Sequence, residues 1–283
     1  MLSFVSLQLG LFTGWEDVQL AKEGRDEALD AGRLMRRHNI NFDIVYTSWL
    51  SRAIETALLV VNELDLLWVP IVKTWRLNER MYGALTGLSK KMIRQIHGEK
   101  QFLLWRRGYD TRPPPISSFS HFYPGNDDRY VNYVSDVSVS FYESLIRSLS
   151  VGKLEVHRQF PKTESLKDCM ERTIPYFTDV ILPRSQQGNN VLIASSENAI
   201  RGLLMHLCQI SPDRIQDVEI PTGLPLVFDW DAKRLKLLDD GSGTSPLERY
   251  NFGKAPELLF HKEATKEGEI QYEPIILLKE EDE

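Results

Sequence analysis

The chain has 283 residues, of which 42% are hydrophobic and 26% charged, enough apolar content for one sizeable core and too much for a disordered or collagen-like chain. Its 34 basic and 40 acidic side chains leave a net charge of −6, so no general basic field would attract nucleic acid. The acidity concentrates in residues 262–283, where eight acidic residues meet three basic ones, the pattern of a solvated tail.

Residues 1–11 are apolar, yet they lack a basic n-region and a small-residue cleavage pattern, and read poorly as a signal peptide. Residues 25–37 follow Gly24 and carry Ala28, Leu29, Leu34 and Met35 among charges, as an amphipathic helix would. Residues 42–47 read as a strand. Behind them Ser48 is placed to cap a helix whose Ala53, Ala57, Leu58, Val61 and Leu64 recur at three and four. An apolar stretch at 68–72 is the next strand candidate. This alternation predicts an α/β fold with a parallel sheet.

Residues 108–133 hold Pro113, Pro114, Pro115, Pro124 and Gly125 without periodicity, which predicts a long irregular loop of the kind that often carries function. Ser165 opens a capping box with Asp168, and Leu166, Cys169, Ile174, Phe177 and Ile181 follow at helical spacing, with Pro175 as a kink. Residues 190–195 read as a buried strand. Asn198 can cap the next helix, whose apolar stripe is Ile200, Leu203, Leu204 and Leu207. Two further strands, 224–230 and 234–239, flank a short Asp231-Ala232-Lys233 turn. Cys169 and Cys208 lie in helix-like apolar patterns and read as buried thiols rather than a bridge or metal site. The longest apolar runs are far short of the ~20 residues of a membrane helix.

Arginine is unusually well placed for chemistry. Arg52 starts a helix directly after a strand, Arg80 follows Glu79, and Arg106 with Arg107 precede the proline-rich loop. In α/β sheets ligands sit at the carboxyl ends of strands, and planar guanidinium groups bind phosphate and carboxylate bidentately. Converging arginines therefore imply a small, multiply anionic ligand, although each alone is an ordinary surface charge. No pair among the six histidines has metal-ligand spacing supported by neighbouring ligands, so no metal is expected. Aromatic residues are scattered rather than interleaved with lysine, which argues against stacking on nucleic acid.

The stretches Phe12-Thr13-Gly14-Trp15, Thr47-Ser48 with Arg52-Ala53-Ile54-Glu55-Thr56-Ala57, Trp75-Arg76-Leu77-Asn78-Glu79-Arg80 with Tyr82-Gly83-Ala84-Leu85, Trp105-Arg106-Arg107-Gly108, Pro113-Pro114-Pro115, Thr163-Glu164-Ser165-Leu166-Lys167-Asp168 and Pro221-Thr222-Gly223 occur in one order. Together they resemble the bisphosphoglycerate-dependent phosphoglycerate mutases and bisphosphoglycerate mutases of the histidine phosphatase superfamily, from about Phe12 to Phe228.

The resemblance implies a three-layer α/β/α phosphoglycerate mutase-like domain over residues 1–240, with a mostly parallel sheet. It implies an insertion at about 138–160, where Phe141, Tyr142, Leu145, Ile146 and Leu149 have helical spacing, and a divergent acidic tail at 241–283. Implied roles are phosphate binding for Arg52, general acid and base for Glu79, and holding of carboxylate and phosphate by Tyr82, Lys90, Arg106 and Arg107. Thr13 and Gly14 match a substrate contact, and Asn198 an asparagine at the phosphate pocket. Implied too are a small phosphorylated metabolite as partner, 2,3-bisphosphoglycerate as primer, a homodimer or homotetramer, and a cytoplasmic, membrane-free setting in glycolysis, with organellar targeting left open.

Two defining residues of the family are missing. Its nucleophilic histidine lies in an R-H-G motif at the end of the first strand, and counting back from Trp15 places Met1 there. Its second histidine belongs to A-H-G-N, where this chain has Ala194-Ser195-Ser196-Glu197-Asn198 and so Ser196 for histidine and Glu197 for glycine. A carboxylate there repels phosphate unless it turns outward or pairs with an arginine. The expectation is an incomplete gene model lacking its first strand and inactive as written. The alternative is a noncatalytic relative that binds phosphorylated metabolites or partner subunits.

Overall fold

In the computed structural model of the protein, residues 10–133, 160–230, 234–263 and 271–273 are described. Helix and strand alternate from the start as α1 (Lys22–Arg37), β1 (Ile44–Thr47), α2 (Ser51–Glu63) and β2 (Ile71–Lys73). Strand β1 sits at the centre of a parallel sheet ordered β2-β1-β3, with β3 at Val191–Ala194; Val45 lies opposite Ile71 and Ile44 opposite Val191. Successive side chains of a strand point to opposite faces. Val45 accordingly packs with Ala57 and Val61 of α2, and Tyr46 with Phe177, Ile181 and Leu203 on the other side. Both faces are covered by helices, which gives three layers and explains why β1 is almost wholly apolar.

Between β2 and β3 run α3 (Lys90–Arg107), α4 (Asp128–Tyr133), α5 (Leu166–Tyr176) and α6 (Leu182–Gln186). The capping box forms as expected: Ser165 Oγ accepts from Asp168 N at 3.2 Å, and Ser165 N donates to Asp168 Oδ2 at 2.8 Å. Pro175 lies in the last turn of α5, and a wide turn over Phe177–Ile181 absorbs it before α6. After β3 come α7 (Glu197–Leu207), the antiparallel hairpin β4 (Leu226–Asp229) and β5 (Arg234–Leu237), α8 (Pro246–Arg249), and a second hairpin of β6 (His261–Glu263) and β7 (Gln271–Glu273).

Several expectations change. Ser48 does not cap α2; its Oγ accepts from Leu50 N. A remote carboxylate does that work instead, because Ser51 N and Oγ donate to Asp17 Oδ1 and Oδ2 at 2.7 and 2.6 Å. Asn198 does not cap α7 either: Ser196 is the N-cap residue, and the Asn198 amide is drawn to a buried carboxylate. The irregular loop at 108–133 contains a short turn at Pro124–Asn126 and α4. The insertion at about 138–160, apart from the buried Phe160, and the 231–233 turn lie outside the described residues.

The segment after Asp240 is no detached tail in its first part. Phe252, Leu259 and Phe260 are buried in one cluster with Leu204, Ile215 and Val218, each worth about 1.5–3 kcal/mol of burial. Gly253 makes this docking possible. It bridges to Val218 with φ +91°, and a Cβ there would meet Asp217 O at 2.0 Å.

The first strand expected to be missing would lie beside β3, and among the described residues β3 and β4 belong to separate sheets. Among the described residues neither the β3 edge away from β1 nor the β4 edge away from β5 has a strand partner. Both strands line one cavity of about 1110 Å³, whose lining includes Leu192, Ile193, Val227 and Phe228 together with Arg52 and Ser196. No helix among the described residues is long and apolar enough to cross a membrane.

Candidate anion-binding site

A second pocket, of about 350 Å³, adjoins this cavity, and Arg52 lines both. A straight helix of 18 residues would hold its ends about 27 Å apart, yet Lys90 from the first turn of α3 and Arg106 and Arg107 from its last turn line the same pocket. The cause is Gly98, whose φ of 78° and ψ of 161° break the helix in the middle. Only glycine adopts that conformation without strain. Burial, with the nearby Arg106 and Arg107 guanidinium groups, pushes the Lys90 ammonium down to about 8.

Eight of the residues singled out by sequence meet here: Thr13, Gly14, Arg52, Glu79, Tyr82, Lys90, Arg106 and Arg107 all line the pocket. Arg52 is buried and donates to the carbonyls of Gly14 and Glu16, both at 2.9 Å. Burial lowers its pKa, while Glu79 and Asp17 favour its charge. Ser196 is not part of this lining and belongs to the larger cavity.

Asn198 stands behind the pocket and organises its wall. Its Nδ2 donates to Glu79 Oε1 at 2.9 Å and to Tyr82 Oη at 3.1 Å. Arg201 Nη1 donates to its Oδ1 at 3.0 Å, and since a guanidinium cannot accept, the amide has one orientation. Glu79 Oε1 also accepts from Arg80 N at 2.6 Å. The carboxylate is thus fixed at the pocket edge with two donors already assigned to it.

Arg107 is paired inside the protein. Its Nη1 donates to Glu197 Oε1 and its Nη2 to Glu219 Oε1 at 3.0 Å. Of the two dispositions open to Glu197 from sequence, the structure has the arginine pair. Burial alone would raise the Glu197 carboxyl, but Arg107 and Arg201 outweigh it and hold the group below its usual range.

Sequence reasoning missed two buried arginines, Arg172 and Arg201, and part of the lining, and Arg80 is buried outside the pocket lining. Arg80 donates to the carbonyls of Trp105 and Arg106 at 2.7 and 3.1 Å, Arg172 pairs with Glu164, and Arg201 holds Asn198. An arginine inside a largely apolar helix, as at 201, is the signal that was available. Glu219, Tyr250 and Asn251 also line the pocket, the last two from a stretch read as tail. Of the histidines, His38, His97, His121 and His206 have described side chains, and none lines either cavity. Cys169 and Cys208 are buried thiols pushed up to about 12 by burial, and take no part. Among the described residues no group of three or more His, Cys, Asp or Glu could hold a metal ion.

The family model described as histidine phosphatase superfamily (branch 1) matches residues 7–135 and 152–240. The chain is 41% identical over 235 residues to a 2,3-bisphosphoglycerate-dependent phosphoglycerate mutase of Corynebacterium kroppenstedtii, covering 83% of this chain and 82% of that one. It is 42% identical over 236 residues to a protein of the same name from Mycobacterium leprae, covering 83% and 86%. Among solved structures it resembles mycobacterial glucosyl-3-phosphoglycerate phosphatase in complex with VO3, with a TM-score of 0.56 and 17% identity over 86% of this chain and 96% of that one. An alpha-ribazole phosphatase from Shigella flexneri gives a TM-score of 0.54, also at 17% identity, over 86% and 96%. At such identities the structural likeness speaks for the fold alone.

Proposed function

The chain belongs to the histidine phosphatase superfamily, and from that premise we propose that its pocket binds a phosphorylated three-carbon acid, such as 3-phosphoglycerate, without transferring the phosphoryl group through histidine. The observation that carries this reading is one of composition: Arg52, Lys90 and Arg106 converge on a pocket that has no imidazole among its described lining residues. Cations so placed suit a phosphate and a carboxylate. Phosphohistidine chemistry requires an imidazole nitrogen as nucleophile, and a hydroxyl such as that of Ser196 is no substitute without an activating base. The substrate class is supported by the names of the relatives at 41 and 42% identity.

In this reading Lys90 and Arg106 attract the anion and Tyr82 closes one side. Glu79, held by Asn198 and Arg80 N, hydrogen-bonds to a ligand hydroxyl. The same residues do not suit 2,3-bisphosphoglycerate as a priming donor, since the described lining holds no imidazole to form a phosphohistidine and two carboxylates occupy Arg107.

Calorimetric titration with 3-phosphoglycerate is the test. Binding is expected in the unmodified chain, and Arg106→Ala should weaken it by about 1.5–3 kcal/mol, the scale of a hydrogen bond to a charged group. Equal affinity in both would reduce Arg106 to a surface charge.

Binding should also depend on pH in a definite direction. The ligand phosphate is a dianion above about pH 7, whereas Lys90 loses its proton through about 8. Affinity is therefore expected to fall as pH rises from about 7.5 to about 9. In Lys90→Met the affinity should be lower near neutral pH and the alkaline fall should vanish. A fall that persists in Lys90→Met would assign the titration to another group.

A further inference from the structure

Arg107 meets protein carboxylates through both terminal nitrogens, on Glu197 Oε1 and Glu219 Oε1. The pairing is sheltered at one end and open at the other: the side chains of Arg107 and Glu197 are 10% and 16% exposed, and that of Glu219 is 41% exposed. The second Glu219 oxygen accepts from Asn251 Nδ2 at 3.4 Å, which ties the carboxylate to the segment after α8. Altogether the pocket wall sets Arg52, Lys90, Arg106 and Arg107 against Glu79, Glu197 and Glu219. A site built for a ligand of many negative charges would not place three carboxylates beside four cations.

We propose that Glu197, seconded by Glu219, is a specificity determinant that restricts the pocket to acids carrying a single phosphate and rejects bisphosphorylated ones. This rests on the phosphoglycerate-binding reading and narrows it. Two effects combine. Arg107 is removed from the anion-binding set, because its Nη1 and Nη2 are each engaged by a fixed internal anion. The two carboxylates also remain on the wall of a pocket of only about 350 Å³, so a second phosphate has no position remote from them. Repulsion between partly buried like charges is screened little by salt. A ligand with one phosphate and one carboxylate can lie toward Arg52, Lys90 and Arg106, and leave the Arg107 side empty of charge.

The experiment compares 3-phosphoglycerate with 2,3-bisphosphoglycerate by calorimetry in the unmodified chain, in Glu197→Gln and in Glu219→Gln. Both substitutions keep an oxygen that Arg107 can bond and remove one charge. The unmodified chain should prefer 3-phosphoglycerate by about tenfold or more. Glu197→Gln should raise the affinity for 2,3-bisphosphoglycerate relative to that for 3-phosphoglycerate by about tenfold. Glu219→Gln should give a smaller rise, since Glu219 is the more exposed partner. Circular dichroism and thermal melting establish that each variant is folded; if Glu197→Gln does not fold, Glu219→Gln and the ratio in the unmodified chain still decide. Equal or tighter binding of 2,3-bisphosphoglycerate by the unmodified chain overturns the selectivity alone, as does a ratio unmoved in both folded variants. Failure of the unmodified chain to bind 3-phosphoglycerate at all overturns the binding reading first and the selectivity with it.

Discussion

No conversion of 3-phosphoglycerate to 2-phosphoglycerate is expected from this 283-residue chain in an enolase-coupled assay, even with 2,3-bisphosphoglycerate supplied. The expected deficit is very large, because losing a covalent nucleophile costs on the order of a millionfold in turnover. The histidines with described side chains are committed elsewhere. His38 Nε2 lies 2.6 Å from Asp239 O, His97 packs on Trp105, His121 on Phe122, and His206 on Phe177. Among the described residues no base is hydrogen-bonded to the Ser196 hydroxyl, and its neighbour Glu197 is bound to Arg107. Ser196→His with Glu197→Gly should still give no turnover. That pair of changes restores a donor to phosphoryl oxygens, worth about a hundred- to a thousandfold when a nucleophile is present, but creates no nucleophile in the smaller pocket. Turnover near that of an ordinary mutase in the unmodified chain would mean that the nucleophile lies among residues outside the pocket lining.

The largest expected loss of stability is that of Arg172→Met. Arg172 donates through Nε and Nη2 to Glu164 Oε1 and Oε2 at 2.7 and 2.9 Å. The same guanidinium donates to the carbonyls of Arg76, Asn78 and Glu79 at 2.8, 3.1 and 3.0 Å. Glu164 Oε2 in turn accepts from Met81 N at 2.8 Å. One buried pair thus pins the whole path from Trp75 to Met81, and Glu79 with it. Removing the arginine leaves a buried carboxylate without its counter-charge, which costs about 3–5 kcal/mol. Urea unfolding should show this as a lower midpoint at a similar slope. Arg172→Met combined with Glu164→Leu should recover a large part of the loss, because an uncharged pair carries no stranded charge. A single-variant loss below about 1 kcal/mol would mean that water reaches Glu164 and replaces the arginine.

Much of this architecture is legible in sequence because it depends on near neighbours. The capping box of Ser165 and Asp168 spans three residues, and the helical stripe of Ala53, Ala57 and Val61 eight. Arg52 is recognisable as a pocket-lining residue because the strand before it and the helix after it are local patterns. Where a chain-distant group competes with a local one, local reading errs. Ser48 loses the cap of α2 to Asp17, and Asn198 leaves the cap of α7 for Glu79, a residue 119 positions away. The stretch from 241 looks like tail because its apolar residues have no helical or strand period; its Phe252 and Phe260 are core all the same.

The sequence by itself determined the family, through motifs in a common order, the alternation that makes an α/β sheet, and the chemical identity of each group near the pocket, including the serine and glutamate at 196 and 197. Only the tertiary structure decided which charges meet. Lys90 and Arg106 share a pocket because α3 breaks at Gly98, and Arg107 lies between Glu197 and Glu219, 90 and 112 residues further along the chain. Coulomb energy depends on separation through space and on the dielectric around the pair. Neither quantity exists until the chain has folded, so a sequence can name the charges of a site but not their partners.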